Sequence, residues 1–385
     1  ISEEAIASVT ADGRVTGRKR GQAAVMVRYI EYVVARAFTF VKPVPGFQWT
    51  NPPVTNFVDE KIHSKLREMQ ILPSGLCTDG EFVRRVHLDV IGRLPTVEET
   101  KEFLSDKSVD KRARLIDALL ERREYAPFWA QKWGDLLRLT PEAVSPSGAH
   151  KFNQWLVQSF RKNQPYDAFA RDLLTATGST FQNPPTNYYR TAADMSDALE
   201  TTTQIFIGNR LSCAKCHNHP FERWTQDNYY GLGAVFNRVK RQAGARPDEM
   251  FITLARSGEV TNPRSGKVMK PWLPGKGPVD VPANMDRRQV FAKWLTKKDN
   301  PWFAKVEANR LWAAVMGRGI VEPVDDFRAS NPPVNTALLE ALGAKFTKHN
   351  FDRKYLLRVI LNSRTYQASS KPNEFNGDDE LLFSH

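Results

Sequence analysis

Two cysteines three residues apart with a histidine directly behind them, Cys213-Ala214-Lys215-Cys216-His217, define a chemistry by type and spacing. On a helical turn such thiols reach the two vinyl groups along one edge of a porphyrin, and the following imidazole points at the iron as proximal ligand. Cys213 and Cys216 are therefore expected as thioethers of one haem c, with His217 ligating the iron. Three other readings use the same side chains. A thioredoxin-type dithiol opens a helix after a strand, whereas helical periodicity flanks this segment on both sides. A zinc knot of Cys213, Cys216, His217 and His219 has a suitable donor set, but structural zinc usually takes its second ligand pair from a distant segment. A plain disulfide, or two free thiols, is the third.

His219 follows His217 by two positions, and two residues span at most about 7 Å. The porphyrin separates its two faces, so His219 cannot reach the opposite side of the iron and is expected instead to contact a propionate or fix the loop before Pro220. An exposed loop histidine is the equal alternative. For the sixth coordination position the sequence offers Met195, on the helix that leads into the motif, and His150, His87, His63 and Met69 in the same helical region. Each reads first as a core methionine or a surface histidine and only then as a ligand. A five-coordinate iron would open small-molecule binding or peroxide chemistry.

Elsewhere the chemistry is thinner. Asp325-Asp326 and Glu322 beside Arg328 read as an ion-pair network before they read as a metal or acid/base cluster. Asn309-Arg310 next to Trp312 looks like packing around a buried polar anchor. Cys77 stands alone. No nucleophile elbow, phosphate loop, zinc-protease motif or dinucleotide fingerprint is present.

The elements that position the motif follow from the pattern along the 385 residues. That length predicts about two to three domains, and 41% hydrophobic residues with 22 Phe and 9 Trp promise aromatic cores. The fold class is expected to be mainly α: two helical domains joined by an irregular or β connector, after a short all-β remnant. Residues 1–42 read as short strands separated by Asp12-Gly13 and Lys19-Arg20-Gly21 turns. So little sheet is not stable alone, which makes it the closing part of a β module. A proline-rich linker covers 43–54.

From residue 55 the period changes to helical. Thr78-Asp79-Gly80-Glu81 and Thr96-Val97-Glu98-Glu99 carry capping-box signatures ahead of apolar residues at helical spacing. Further helices are expected at 124–138, 149–162, 165–176, 191–209 and 225–238, giving a haem domain over 55–240. Gly, Pro and Arg mark 241–281 as the connector, with an extended piece near Met250 and a turn at Pro263-Arg264-Ser265-Gly266. Helices at 285–296, 300–316, 335–348 and 352–363 make a second domain over 282–385.

The net charge of +12 is scattered, with local knots at 14–20 and 238–246. Dispersed charge suits a solvated surface or weak attraction to polyanions, and no module that reads nucleic-acid sequence is present. No run reaches the roughly eighteen apolar residues of a membrane span. The most apolar early stretch, 29–41, is broken by Glu31 and Arg36. The chain opens on Ile1 and reads as an excerpt of a longer polypeptide.

Several of these segments also carry a family resemblance. The run Phe82-Val83-Arg84-Arg85-Val86-His87-Leu88-Asp89-Val90-Ile91-Gly92-Arg93-Leu94-Pro95-Thr96 resembles the planctomycete cytochrome-type proteins. So do the downstream 213–221 with Asp227-Asn228-Tyr229-Tyr230-Gly231, and Asn309-Arg310-Leu311-Trp312 with 317–328. In that family a cytochrome-c-like module is followed by a partner module of undefined function. The resemblance covers roughly 55–240 and 282–385 and departs from the family pattern at His87, where Tyr is expected. Ala11-Asp12-Gly13-Arg14-Val15-Thr16 and the run 21–29 are similar to the closing strands of a bacterial group 2 Ig-like domain.

The resemblance implies haem attachment at Cys213 and Cys216 with ligation by His217, in the periplasm or at the cell surface. It supplies no substrate. The first functional expectation is thus an extracytoplasmic c-type cytochrome that passes single electrons to an unknown redox partner, coupled to oxidation of a polymer or small molecule. The second is a non-redox surface or scaffold protein whose Cys-His knot binds zinc or forms a disulfide, its basic surface gripping acidic glycans. The third is a haem enzyme with an open distal face.

Overall fold

The computed structural model describes residues 1–29, 32–220 and 222–385. Glu31, expected to interrupt the apolar stretch at 29–41, and Phe221, the last residue of the motif segment, lie outside the described residues. The protein is mainly α, with fifteen α-helices and only short antiparallel sheets among the described residues. None of these helices is long and apolar enough to cross a membrane.

The early strands form as the alternation predicts. Ala7–Val9 pairs antiparallel with Val15–Gly17, and Gly21–Tyr29 with Tyr32–Phe40 in a second ribbon. Gly13 takes a left-handed φ of 84° to close the first turn, a conformation that costs a glycine nothing. Arg20 ties the base of the second ribbon to the end of helix Phe57–Glu68 by donating to the carbonyls of Met69 and Gln70, at 3.1 and 2.8 Å.

Contacts divide the chain into two compact units, Ile1–Tyr125 with Glu307–His385, and Ala126–Val306. The expected domains at 55–240 and 282–385 are divisions along the chain, whereas the first of these units joins distant stretches of it. In that unit Asp59 is fully buried and accepts from the amides of Thr55, Arg364 and Thr365 and from the Thr365 hydroxyl, all at 2.9–3.1 Å. A carboxylate so placed pairs the start of one helix with the far C-terminal segment, because a buried charge demands donors and the 364–365 segment supplies three of them. Arg85 adds two bonds to the carbonyls of Tyr366 and Ala368, and the Tyr366 hydroxyl donates to Asp89 at 2.7 Å.

Both capping boxes are present. The Thr78 amide donates to the Glu81 carboxylate at 2.8 Å at the head of helix Asp79–Ile91, and Thr96 does the same with Glu99 at 2.7 Å before helix Val97–Ser105. Behind them Phe82, Val83, Val86, Ile116, Leu119 and Leu120 are buried, each contributing about 1.5–3 kcal/mol.

Glu99 does more than cap. Its carboxylate also pairs with Arg93 at 2.9 Å and with Arg122. Partial burial pushes its pKa up, but the Thr96 amide and the two guanidinium groups outweigh this and bring it from 4.5 to about 2. The folded state therefore holds the ionised form more tightly than the unfolded chain does. That stability is complete above pH 4.5 and is lost as pH falls towards 2. Urea melts at pH 5 and pH 3 should show Glu99→Gln removing on the order of 1–2 kcal/mol of the wild-type difference, after allowance for solvent screening. An unchanged difference would remove Glu99 from the account.

In the second unit Trp133, Tyr166, Phe169, Phe206 and Phe303 build an aromatic core. Trp133 stands edge-on to Phe169 at 4.8 Å and Tyr166 stacks on Phe303 at 4.4 Å; such pairs add about 0.5–1.5 kcal/mol each beyond burial. The connector is more regular than its composition implies. Val239–Ala243 and Gly178–Ser179 flank Met250–Leu254 in a three-stranded sheet, and Val260–Thr261 pairs with Val268–Met269 across the Pro263 turn. Arg288, fully buried, is held by both oxygens of Asp286 and by the Ala176 carbonyl.

Candidate functional site

The motif segment begins where helix Met195–Phe206 stops. Gly208 adopts a φ of 68°, and the Asn209 amide turns back to the Thr203 carbonyl at 3.2 Å, which releases the chain from the helix. Residues Ser212–Lys215 then form one 3-10 turn. Leu211 and Ala214 are buried while Cys213, Cys216 and His217 are exposed, so the turn lies on its apolar residues and presents the reactive ones to solvent. All three cysteines are free thiols, with Cys77 buried and the motif pair exposed.

The turn is held from beneath by helix Gln226–Phe236. Gln226 donates its side-chain amide to the carbonyls of Lys215 and Cys216 at 2.9 and 3.3 Å, and the Tyr230 hydroxyl donates to the Lys215 carbonyl at 3.2 Å. The Gln226 backbone amide in turn donates to the Asn218 side chain at 3.0 Å. The Thr225 cap, completed by Asn228, fixes the start of that helix. These side chains anchor the backbone of the turn while leaving the two thiols free.

His217 has a defined tautomer. Its Nδ1 lies 2.8 Å from the Asn218 carbonyl, and a carbonyl oxygen only accepts, so Nδ1 is the donor and Nε2 is the nitrogen left to take a ligand. This is the arrangement in which an imidazole ligates a metal, one nitrogen donating to a backbone carbonyl and the other directed at the ion.

His219 differs from its neighbours in being buried. Its amide donates to the Trp224 carbonyl at 2.8 Å, closing the loop that contains Pro220. Trp224 packs edge-on against Trp272 at 6.0 Å, and its indole donates to Asn209 at 3.4 Å. Among the described residues no three His, Cys, Asp or Glu side chains converge on a point where a metal ion would sit.

Met195 begins the helix leading into the motif, and its sulfur fills the space above Gly233 that a Cβ would otherwise need. His150 is exposed in the same unit. His63, Met69 and His87 belong to the other unit. His87 is buried there, its Nδ1 donating to the Val83 carbonyl at 2.8 Å and its Nε2 3.8 Å from Glu99. The remaining clusters are structural. Arg328 grips both oxygens of Asp326, and Asn309, fully buried, accepts from the amides of Ile320 and Val321. Glu322 accepts from the Gly319 amide.

Asn218 and Gln226 are the supporting residues that sequence reasoning overlooks. The signal lies in Thr225-Gln226-Asp227-Asn228, whose Asn closes a capping box in place of the usual Glu. That signature marks a helix start shortly after Asn218, but it does not reveal which carbonyls the glutamine reaches.

Comparison with protein families gives two matches. Residues 57–241 match the family described as PSCyt2, protein of unknown function (DUF1549). Residues 287–383 match the family described as PSD1, protein of unknown function (DUF1553). No curated protein and no solved structure matches the chain.

Proposed function

We propose that this chain, in which a PSCyt2 region is followed by a PSD1 region, carries one haem c on Cys213 and Cys216 with His217 as axial ligand, and passes single electrons outside the cytoplasm. One observation carries the reading: two free, exposed thiols at the attachment spacing stand beside an imidazole whose Nε2 is the basic nitrogen. Attachment needs no outside oxidant. Each S–H adds across a vinyl C=C, the sulfur bonding one carbon and the hydrogen passing to the other, so no electrons leave the pair. The haem would supply the one-electron couple. The protein's own part is to hold the turn through Gln226 and Tyr230 and to set the His217 tautomer through Asn218.

An extracytoplasmic place, in the periplasm or at the cell surface, accords with the early strands, which we read as the close of an Ig-like module. The +12 charge suits an acidic redox partner or an acidic polysaccharide. Against a zinc knot stands the burial of His219 beside three exposed partners. Met195, already packed over Gly233, would have to leave that position to ligate, which keeps an open distal face among the readings to be measured.

The test is to produce the chain alongside a cytochrome c maturation system and examine it after denaturation. A Soret band that stays with the polypeptide, together with the added mass of one haem, is expected. A haem-free product with one zinc per chain would replace the proposal with the knot. Carbon monoxide binding to the ferrous form would indicate the open distal face.

A further inference from the structure

In the first unit, independently of the motif, a cavity of about 260 Å³ lies between the proline-rich linker, helix Phe57–Glu68 and the 364–368 segment. Two of its lining groups carry N–H donors for which no acceptor is found among the described residues. His63 is only 8% exposed, yet its ring makes no hydrogen bond among the described residues. The half-buried Arg364 guanidinium likewise makes neither a hydrogen bond nor an ion pair among them. A half-buried guanidinium with no protein counter-charge keeps its fork of donors available to an anion from solution.

The nearby carboxylate does not resolve this. Asp59 is already occupied by five donors, including the backbone amides of Arg364 and Thr365, and so positions this segment without pairing with the guanidinium. Burial holds the His63 imidazole below its usual pKa, with Asp59 pulling it up and Arg364 down. The ring is therefore neutral near pH 7 and offers one N–H. Trp49 stands edge-on to it at 5.9 Å, which limits its rotation. Pro52, Pro73, Ile62 and Phe383 give the rest of the wall an apolar, stiff character.

We infer that this cavity binds a small organic carboxylate, its two oxygens on the Arg364 fork and the His63 N–H and its apolar body against the proline and phenylalanine wall. The guanidinium matches a carboxylate in planarity and donor spacing. The volume exceeds what an inorganic anion needs and falls just below the roughly 300 Å³ at which drug-sized ligand cavities begin, which suits a small ligand.

Titration calorimetry on the full chain at low salt, with benzoate, benzyl alcohol and inorganic sulfate as probes, tests this. Benzoate should bind saturably, with the neutral alcohol and sulfate each weaker by about ten-fold or more, the worth of a charge-assisted hydrogen bond. Arg364→Gln should weaken benzoate by a similar factor at an unchanged unfolding midpoint, and Arg364→Lys should restore only part of it. Should Arg364→Gln fail to fold, the three probes on the wild type and on Arg364→Lys still decide. Equal binding of acid and alcohol, sulfate as tight as benzoate, full affinity in Arg364→Gln, or no saturable binding at all would each overturn the inference.

Discussion

Serine at both Cys213 and Cys216 is expected to yield a folded protein from which all haem is lost on denaturation, while the wild type retains it covalently. The hydroxyl of serine does not add to a vinyl group under the conditions in which a thiol does, so the double variant forms no thioether. Each single variant keeps one sulfur–carbon bond and leaves one vinyl in conjugation with the ring, which moves the reduced absorption maximum to longer wavelength. His217→Ala separates attachment from ligation: both thioethers remain available, but the axial nitrogen is gone. Its mass gain should match the wild type's while its spectrum does not. All these side chains are exposed, so the haem-free forms should stay within about 0.5 kcal/mol of the haem-free wild type in unfolding stability. Haem that remains bound through denaturation in the double variant would show that attachment occurs elsewhere.

The positions of the motif and of most helices could be read from the chain, and the reason is local. Capping boxes at Thr78 and Thr96 and apolar residues at helical spacing are interactions between neighbours in sequence, so their signature is short. What the chain does with its ends has no such signature. The bridge between Leu76 and Ala368, the bonds from Arg85 to Tyr366 and Ala368, and the burial of Asp59 against 364–365 join residues far apart along the chain. Nothing in Ser363-Arg364-Thr365 announces a half-buried guanidinium facing His63. The site divides in the same way. Cys213, Cys216 and His217 declare themselves by spacing, whereas the burial of His219 and the grip of Gln226 depend on how a loop closes. Met195 illustrates the limit: its place on the helix was legible, but its packing over Gly233 comes from a second helix whose glycine makes the room. In the connector, composition correctly marked turns, yet short strands such as Val260–Thr261 draw their stability from packing that a window of sequence does not contain.

Glu307→Ala is expected to destabilise the protein by about 3–5 kcal/mol, the usual cost of removing one partner from a buried ion pair. Glu307 is fully buried, and its two oxygens accept from Arg353 Nε at 2.8 Å and Arg310 Nη1 at 2.7 Å, with those side chains 2% and 11% exposed. Truncation would remove the carboxylate that the two largely buried guanidinium groups share. Tyr125, whose hydroxyl is buried and whose pKa burial drives up, offers no negative charge in its place. Glu307→Gln keeps the shape but not the charge. Its amide can accept from one arginine while presenting N–H groups to the other, so it should fall between Ala and wild type. Exposed Glu98→Gln serves as the control and should change stability by less than about 0.5 kcal/mol. Replacing Glu307, Arg310 and Arg353 together by apolar residues of matching volume should recover much of the loss, because the cost lies in burying charge without its counter-charge rather than in the absence of the ion pair itself. Urea denaturation of the four variants measures this ordering. A Glu307→Ala loss below about 1 kcal/mol would mean that the two arginines find solvent or another acceptor, and that the buried pair is not what holds helix Phe303–Met316 to helix Arg353–Leu361.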